Sequence, residues 1–160
     1  VSHGLITGLL FAGAGILMHN THERHIKKLG GLARQMPLLA GIFVVASAGA
    51  MGVPGTSGFI AEVSVFLGAF SADLVAGSKV FTLISLTGIL LAAAYMLTTL
   101  LKVFFGPSKP VFDSTKDITT LEKFYCAIFI LCIFTIGLYP GILTDVLEPA
   151  ITPLASLWGG

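Results

Sequence analysis

The stretch G-V-P-G-T-S-G-F-I-A-E, Gly52 to Glu62, lies in the middle of the longest apolar run of the chain, Pro37 to about Phe70. A bilayer-crossing helix needs about 20 residues, so this run is too long for one straight span. Pro54 removes a backbone donor, and Gly52, Gly55 and Gly58 let the chain leave helical geometry. The run therefore reads as a discontinuous helix, with a simple proline kink as the alternative. Irregular backbone at membrane depth is tolerated only where protein or a wet cavity satisfies the freed amides and carbonyls, so the break points to a polar interior.

Glu62 sharpens that reading. It is the one charged residue in more than thirty positions from Gln35 to Ala72. A carboxylate at the bilayer centre costs about 2.5–3.5 kcal/mol on insertion scales, and such residues face a bundle interior or a cavity and mark ion or proton paths.

Composition gives the setting. The chain is 55% hydrophobic and 11% charged, with a mean hydropathy of +0.95, whereas about a quarter of residues are charged in soluble domains. We expect an all-α integral membrane protein, a single membrane domain over residues 1–160 surrounded by lipid. The net charge of +1 says nothing about partners, and without a basic patch interleaved with aromatics no nucleic acid is expected.

Cutting at the charged residues leaves four apolar segments: Val1 to about Met18, Pro37 to about Phe70, Val80 to Leu101, and Phe124 to about Leu143. Four spans place loops 19–36 and 106–118 on one side. Arg24, Lys27, Lys28, Arg34, Lys102, Lys109, Lys116 and Lys123 lie in or beside those loops, and only Lys79 lies opposite, in the link from Asp73. By the positive-inside rule the two loops are cytoplasmic or in the matrix, and both chain ends lie across the membrane with Asp145 and Glu148. Trp158 is placed to anchor the tail at the interface. Val1 to Met18 lacks the basic start and small-residue cleavage site of a signal peptide. Since the chain opens without methionine inside an apolar helix, it reads as a piece of something longer or a processed product.

Other features have structural readings. Cys126 and Cys132 are six positions apart and point to separate faces of a helix, so neither a disulfide nor a metal pair is expected. His19, His22 and His25 stand beside Arg24, Lys27 and Lys28, which disfavours a cation site. Gly4 and Gly8, followed by Gly13 and Gly15, have the spacing of close helix contact. Lys102 and Lys123 can snorkel to the interface. His3 differs, because it sits near one end of an apolar helix without a charged neighbour and its type titrates near neutral pH. With Glu62 it supplies the second member of a proton relay; a histidine hydrogen-bonded at a helix end is the alternative.

The runs S-H-G-L-I-T-G-L-L-F (Ser2 to Phe11), K-K-L-G-G-L-A-R-Q-M-P (Lys27 to Pro37), Gly52 to Glu62 and G-L-Y-P-G-I-L (Gly137 to Leu143) resemble the antiporter-like subunit 4 family of proton-pumping NADH:quinone oxidoreductase, respiratory complex I. The resemblance covers essentially the whole chain. Sister subunits typically carry lysine where Glu62 stands, and Mrp-type cation/proton antiporters and membrane-bound hydrogenases have related subunits. The family fold has fourteen transmembrane helices in two inverted five-helix repeats, each with a broken helix, and this chain corresponds to helices eleven to fourteen.

The resemblance implies that His3 links a central hydrophilic axis and that Glu62 lies near the proton exit. It also implies that flavin and iron–sulfur clusters belong to partner subunits, with no cofactor or metal in this chain. The implied partners are the other membrane-arm subunits, including whatever supplies the preceding helices. The host is a mitochondrial inner membrane or a bacterial plasma membrane. No Rossmann G-x-G-x-x-G or cysteine cluster argues for a redox site here.

Overall fold

The computed structural model describes residues 1–71 and 77–158, with side chains described as far as residue 153. Six helices follow one another: α1 (Ser2–Thr21), α2 (Pro37–Ala50), α3 (Ser57–Ser71), α4 (Ser78–Val103), α5 (Thr120–Leu138) and α6 (Gly141–Trp158). Short 3-10 turns at Leu32–Arg34 and Pro110–Phe112 lie in the two long loops, and no strand occurs among the described residues. α1, α4 and α5 are each long and apolar enough to cross a membrane. At about 1.5 Å per residue, α2 and α3 are roughly 21 and 22 Å long, short of a hydrocarbon core of roughly 30 Å. Among the described residues, three helices can thus span singly, and α2 and α3 are two shorter apolar pieces joined across a break.

α1 packs on α2 and α5, α3 on α5 and α4, and α2 also on α4. Leu9, Leu32, Met36, Leu39 and Ile133 are fully buried in the core. Packing in a membrane relies on close approach more than on water exclusion, and small residues allow it here. A Cβ at Gly8 would lie 2.9 Å from the Phe129 ring, and one at Gly13 would lie 2.8 Å from the Phe43 ring. Gly4 and Gly15 have nothing within 4 Å, so only part of the glycine series in α1 serves helix contact. Tighter contacts occur elsewhere, where Gly137 of α5 meets the backbone of Gly55 and Thr56, and Gly58 meets the carbonyl of Gly49.

The two basic loops are bound together at one end of the bundle. Asp117 accepts hydrogen bonds from the amides of Leu38 (2.8 Å) and Leu39 (3.2 Å), in the first turn of α2. Gln35 Nε2 donates to Asp113 (3.1 Å), the Ala33 amide donates to the Phe104 carbonyl (3.0 Å), and Asn20 donates to the Lys116 carbonyl (3.2 Å). Gly31, at φ +64°, touches the backbone of Ser108, and a Cβ at Gly30 would lie 2.8 Å from the Pro107 carbonyl. α5 then starts on a capping box: the Glu122 amide donates to Thr119 Oγ1 (3.4 Å) and the Thr119 amide to Glu122 (2.6 Å).

Four boundaries differ from the sequence reading. α1 runs to Thr21, so His19 is helical and the first loop begins at His22, whose φ of 53° ends the helix in left-handed geometry. Lys79 lies in the first turn of α4, not in a link; Asp73 falls outside the described residues. The last apolar segment stops at Leu138, because Tyr139 and Pro140 interrupt the helix before Leu143. Beyond it the chain forms an eighteen-residue helix, α6, that the sequence reading took for a tail. The side chain of Trp158 lies outside the described set.

Candidate functional site: a recess beside the helix break

The break is a loop of six residues between α2 and α3. The helical ladder ends with the Met51 amide on Ser47 (2.9 Å), after which the Gly52 amide bonds Gly49 (3.2 Å) and the Val53 amide bonds Ala48 (3.0 Å). Pro54 has no amide to offer. Gly52 (φ 64°) and Gly55 (φ 93°) take left-handed conformations that side-chain-bearing residues disfavour. Thr56 restarts the helix: it is 2% exposed, its hydroxyl donates to the Val53 carbonyl (2.7 Å) and accepts the Phe59 amide at 3.5 Å. Gly58 is not part of the interruption, since it lies within α3, where its missing side chain admits the Gly49 carbonyl.

Glu62 follows one turn into α3, and its carboxylate sits against Gly52, where a Cβ would meet Oε2. It is half-buried. A recess of 290 Å³ opens beside it, with His3, Thr7 and Tyr95 on the walls and Ile6, Leu10 and Met96 among the apolar lining. The structure thus brings His3 of α1 and Glu62 of α3 to one cavity from positions 59 residues apart in sequence. His3 is exposed and lines the recess, and Thr7 donates its hydroxyl to the His3 backbone carbonyl (2.6 Å). Among the described residues no lysine or arginine lines the recess. Among the described residues Glu62 has neither a hydrogen bond nor an ion pair.

Tyr95 and Thr7 were not singled out in the sequence. Each is one of several hydroxyl residues in its helix, and only the folded bundle shows that these two share a cavity. Cys126 and Cys132 are both free, the first buried. Among the described residues no group of three metal-ligating side chains occurs, and His19, His22 and His25 do not converge on a site.

A family model described as "NADH:quinone oxidoreductase/Mrp antiporter, TM" matches residues 1–92, which include His3, the break and Glu62. The chain belongs to this NADH:quinone oxidoreductase/Mrp antiporter family. It is similar to NAD(P)H-quinone oxidoreductase chain 4 1 of Synechococcus sp. (strain JA-3-3Ab), 35% identical over 161 residues, covering 98% of this chain and 31% of the relative. It is equally similar to NADH-quinone oxidoreductase subunit M of Rhodobacter capsulatus, 35% identical over 155 residues, covering 96% of this chain and 29% of that one. The chain 4 1 relative of Nostoc sp. is 31% identical over 98% of this chain. The chain spans about a third of the length of the curated relatives it matches. Like its family, it is an integral membrane protein.

Proposed function

We propose that this chain is the C-terminal, proton-translocating part of an antiporter-like membrane-arm subunit of respiratory complex I. In this reading it couples NADH:ubiquinone oxidoreduction to proton pumping. The observation that carries it is the recess in which His3 and Glu62, two groups that can exchange protons, line one cavity while Glu62 has no cation partner among the described residues. The family and the names of the relatives support it.

On this reading Glu62 and His3 pass protons between them by way of water and hydroxyls. A charge change on a neighbouring group shifts the proton affinity of the next, which is how redox energy released elsewhere is transmitted. Polypeptide beyond these 160 residues, or a neighbouring membrane-arm subunit, completes the wall of the recess and brings a lysine within reach. Flavin and iron–sulfur clusters reside in partner subunits. The stitched basic loops lie on the cytoplasmic or matrix side, as their charge suggests.

The test is Glu62→Gln in the assembled enzyme. The isostere keeps the shape and loses titration, so assembly persists while pumping and the coupled oxidoreductase rate fall; Glu62→Asp is milder. Wild-type pumping by an assembled Glu62→Gln enzyme would remove the claim. The family description also names Mrp antiporters, and co-purifying flavin and iron–sulfur absorbance distinguishes the two, since a cation/proton antiporter would show neither.

A further inference from the structure

Two cavities at the loop end of the bundle share a wall made of Ile26 and Leu29. The first, 360 Å³, is a slot between α1, α2 and α4 that runs from Leu10 and Ala14 to Val103 and is almost wholly apolar. That is within the usual range of ligand pockets, about 300–1,000 Å³. The second, 560 Å³, lies over it and is lined by Lys27, Lys102 and Lys109 with Leu101 and Phe105, and by no carboxylate.

The three ammonium groups are gathered by the fold. Lys27 precedes Gly30 and Gly31, whose contacts with Pro107 and Ser108 bring the two loops together. Lys102 ends α4, and Lys109 donates to the Lys27 carbonyl at 3.0 Å. Like charges gathered this way repel one another, and none of the three pairs with a carboxylate among the described residues. Glu23, which lines the slot, is taken up by Lys28 at 3.3 Å and by the amides of Arg24 and His25.

We propose that these paired cavities bind one anionic phospholipid, its phosphate among Lys27, Lys102 and Lys109 and an acyl chain in the slot between α1, α2 and α4. Charge complementarity selects the headgroup. The slot continuing beneath the lysines favours a lipid over free phosphate, which would use only the upper cavity. Basic pockets between transmembrane helices are suited to anionic headgroups in general. The slot shares Leu10 and Met96 with the His3–Glu62 recess, but the lysine cavity does not, and the proposal does not depend on the function proposed for that recess.

The experiment uses the full-length chain in its native assembly, in detergent, with phosphatidylglycerol carrying a photoactivatable acyl chain and the matching phosphatidylcholine as control. Phosphatidylglycerol labels peptides lining the slot, Leu10–Met18 and Met96–Phe104, about ten-fold more than phosphatidylcholine, as expected where each lysine adds attraction. The triple variant Lys27→Gln, Lys102→Gln, Lys109→Gln drops to the phosphatidylcholine level, and the triple arginine variant retains labelling. Millimolar inorganic phosphate leaves acyl labelling in place. Equal labelling by the two lipids overturns the proposal, as does undiminished labelling of the glutamine variant. So does displacement by phosphate without acyl labelling, or a slot that cross-links only to neighbouring polypeptide. If the glutamine variant fails to assemble, the wild-type lipid comparison and the arginine variant decide.

Discussion

Gly52 and Glu62 compete for one position: the left-handed turn at Gly52 places its α-carbon against the Glu62 carboxylate, leaving no room for a methyl group. The break and the acidic residue are therefore one device, in which the interrupted backbone forms the seat of the side chain.

Gly52→Ala should accordingly act like a mutation of Glu62 itself. A left-handed conformation costs an L-residue about 1–2 kcal/mol, and the new Cβ displaces the carboxylate as well. In assembled enzyme we expect proton pumping to fall about ten-fold, the equivalent of ~1.4 kcal/mol. Gly4→Ala, where nothing lies within 4 Å, should pump normally, and normal pumping by an assembled Gly52→Ala enzyme would separate the two residues.

Gly137→Ala tests the packing behind the break. Its Cβ would enter the backbone of Gly55 and Thr56, which cannot swing aside as a side chain can. The expected loss is about 3 kcal/mol or more, the upper end of overpacking costs, read as a fall in the yield and thermal stability of assembled protein. Gly88→Ala, with open space around it, is the matched control and should be neutral.

Asp117 holds two otherwise orphaned amides at the start of α2, and its charge complements the positive end of that helix. Asp117→Ala should lower stability by about 1–2 kcal/mol, as capping losses do, with Asp117→Asn roughly halfway. Thermal unfolding in detergent measures it, and an unchanged midpoint for the alanine variant would remove Asp117 from the link between the loops.

Glu23 gives a pH dependence. The His25 amide chiefly, then the Arg24 amide and Lys28, hold its carboxyl below the ordinary value of 4.5. A depressed carboxylate stabilises the folded loop above that value, and the contribution is lost as pH falls through the lower folded value. Glu23→Gln at neutral pH imitates the protonated form. Trypsin should then cleave after Arg24, Lys27 and Lys28 about two- to five-fold faster, in line with loss of one exposed charge-assisted contact. Equal cleavage rates would show that Glu23 does not order the loop.

Much of this architecture was legible from apolar run lengths, because crossing a bilayer fixes helix length within narrow limits. G-V-P-G gave the interruption, although Gly58 proved to serve contact rather than conformation. α6 escaped because Asp145 and Glu148 read as residues outside the membrane and Trp158 as the anchor of a tail. Yet 100° per residue puts Asp145, Glu148 and Thr152 on one side and Leu143, Leu147 and Ile151 on another, an amphipathic pattern that was available. T-x-x-E from Thr119 to Glu122 was likewise a readable helix start. Asp117 on Leu38, Lys109 on Lys27, and Tyr95 beside His3 were not readable, since each joins residues more than seventy positions apart and depends on packing.

The cap that Asp117 places on α2 bears on how the protein is made. When the ribosome has finished Pro37–Ala50, the residue that will cap those amides is still 67 codons away, counting from Ala50 to Asp117. α2 leaves the translocon shorter than a standard span and with its first turn uncapped. The first turn of α2 therefore gains its cap only after α4 and the second basic loop have been synthesised, and the break gains its packing against Gly137 later still, once α5 has emerged.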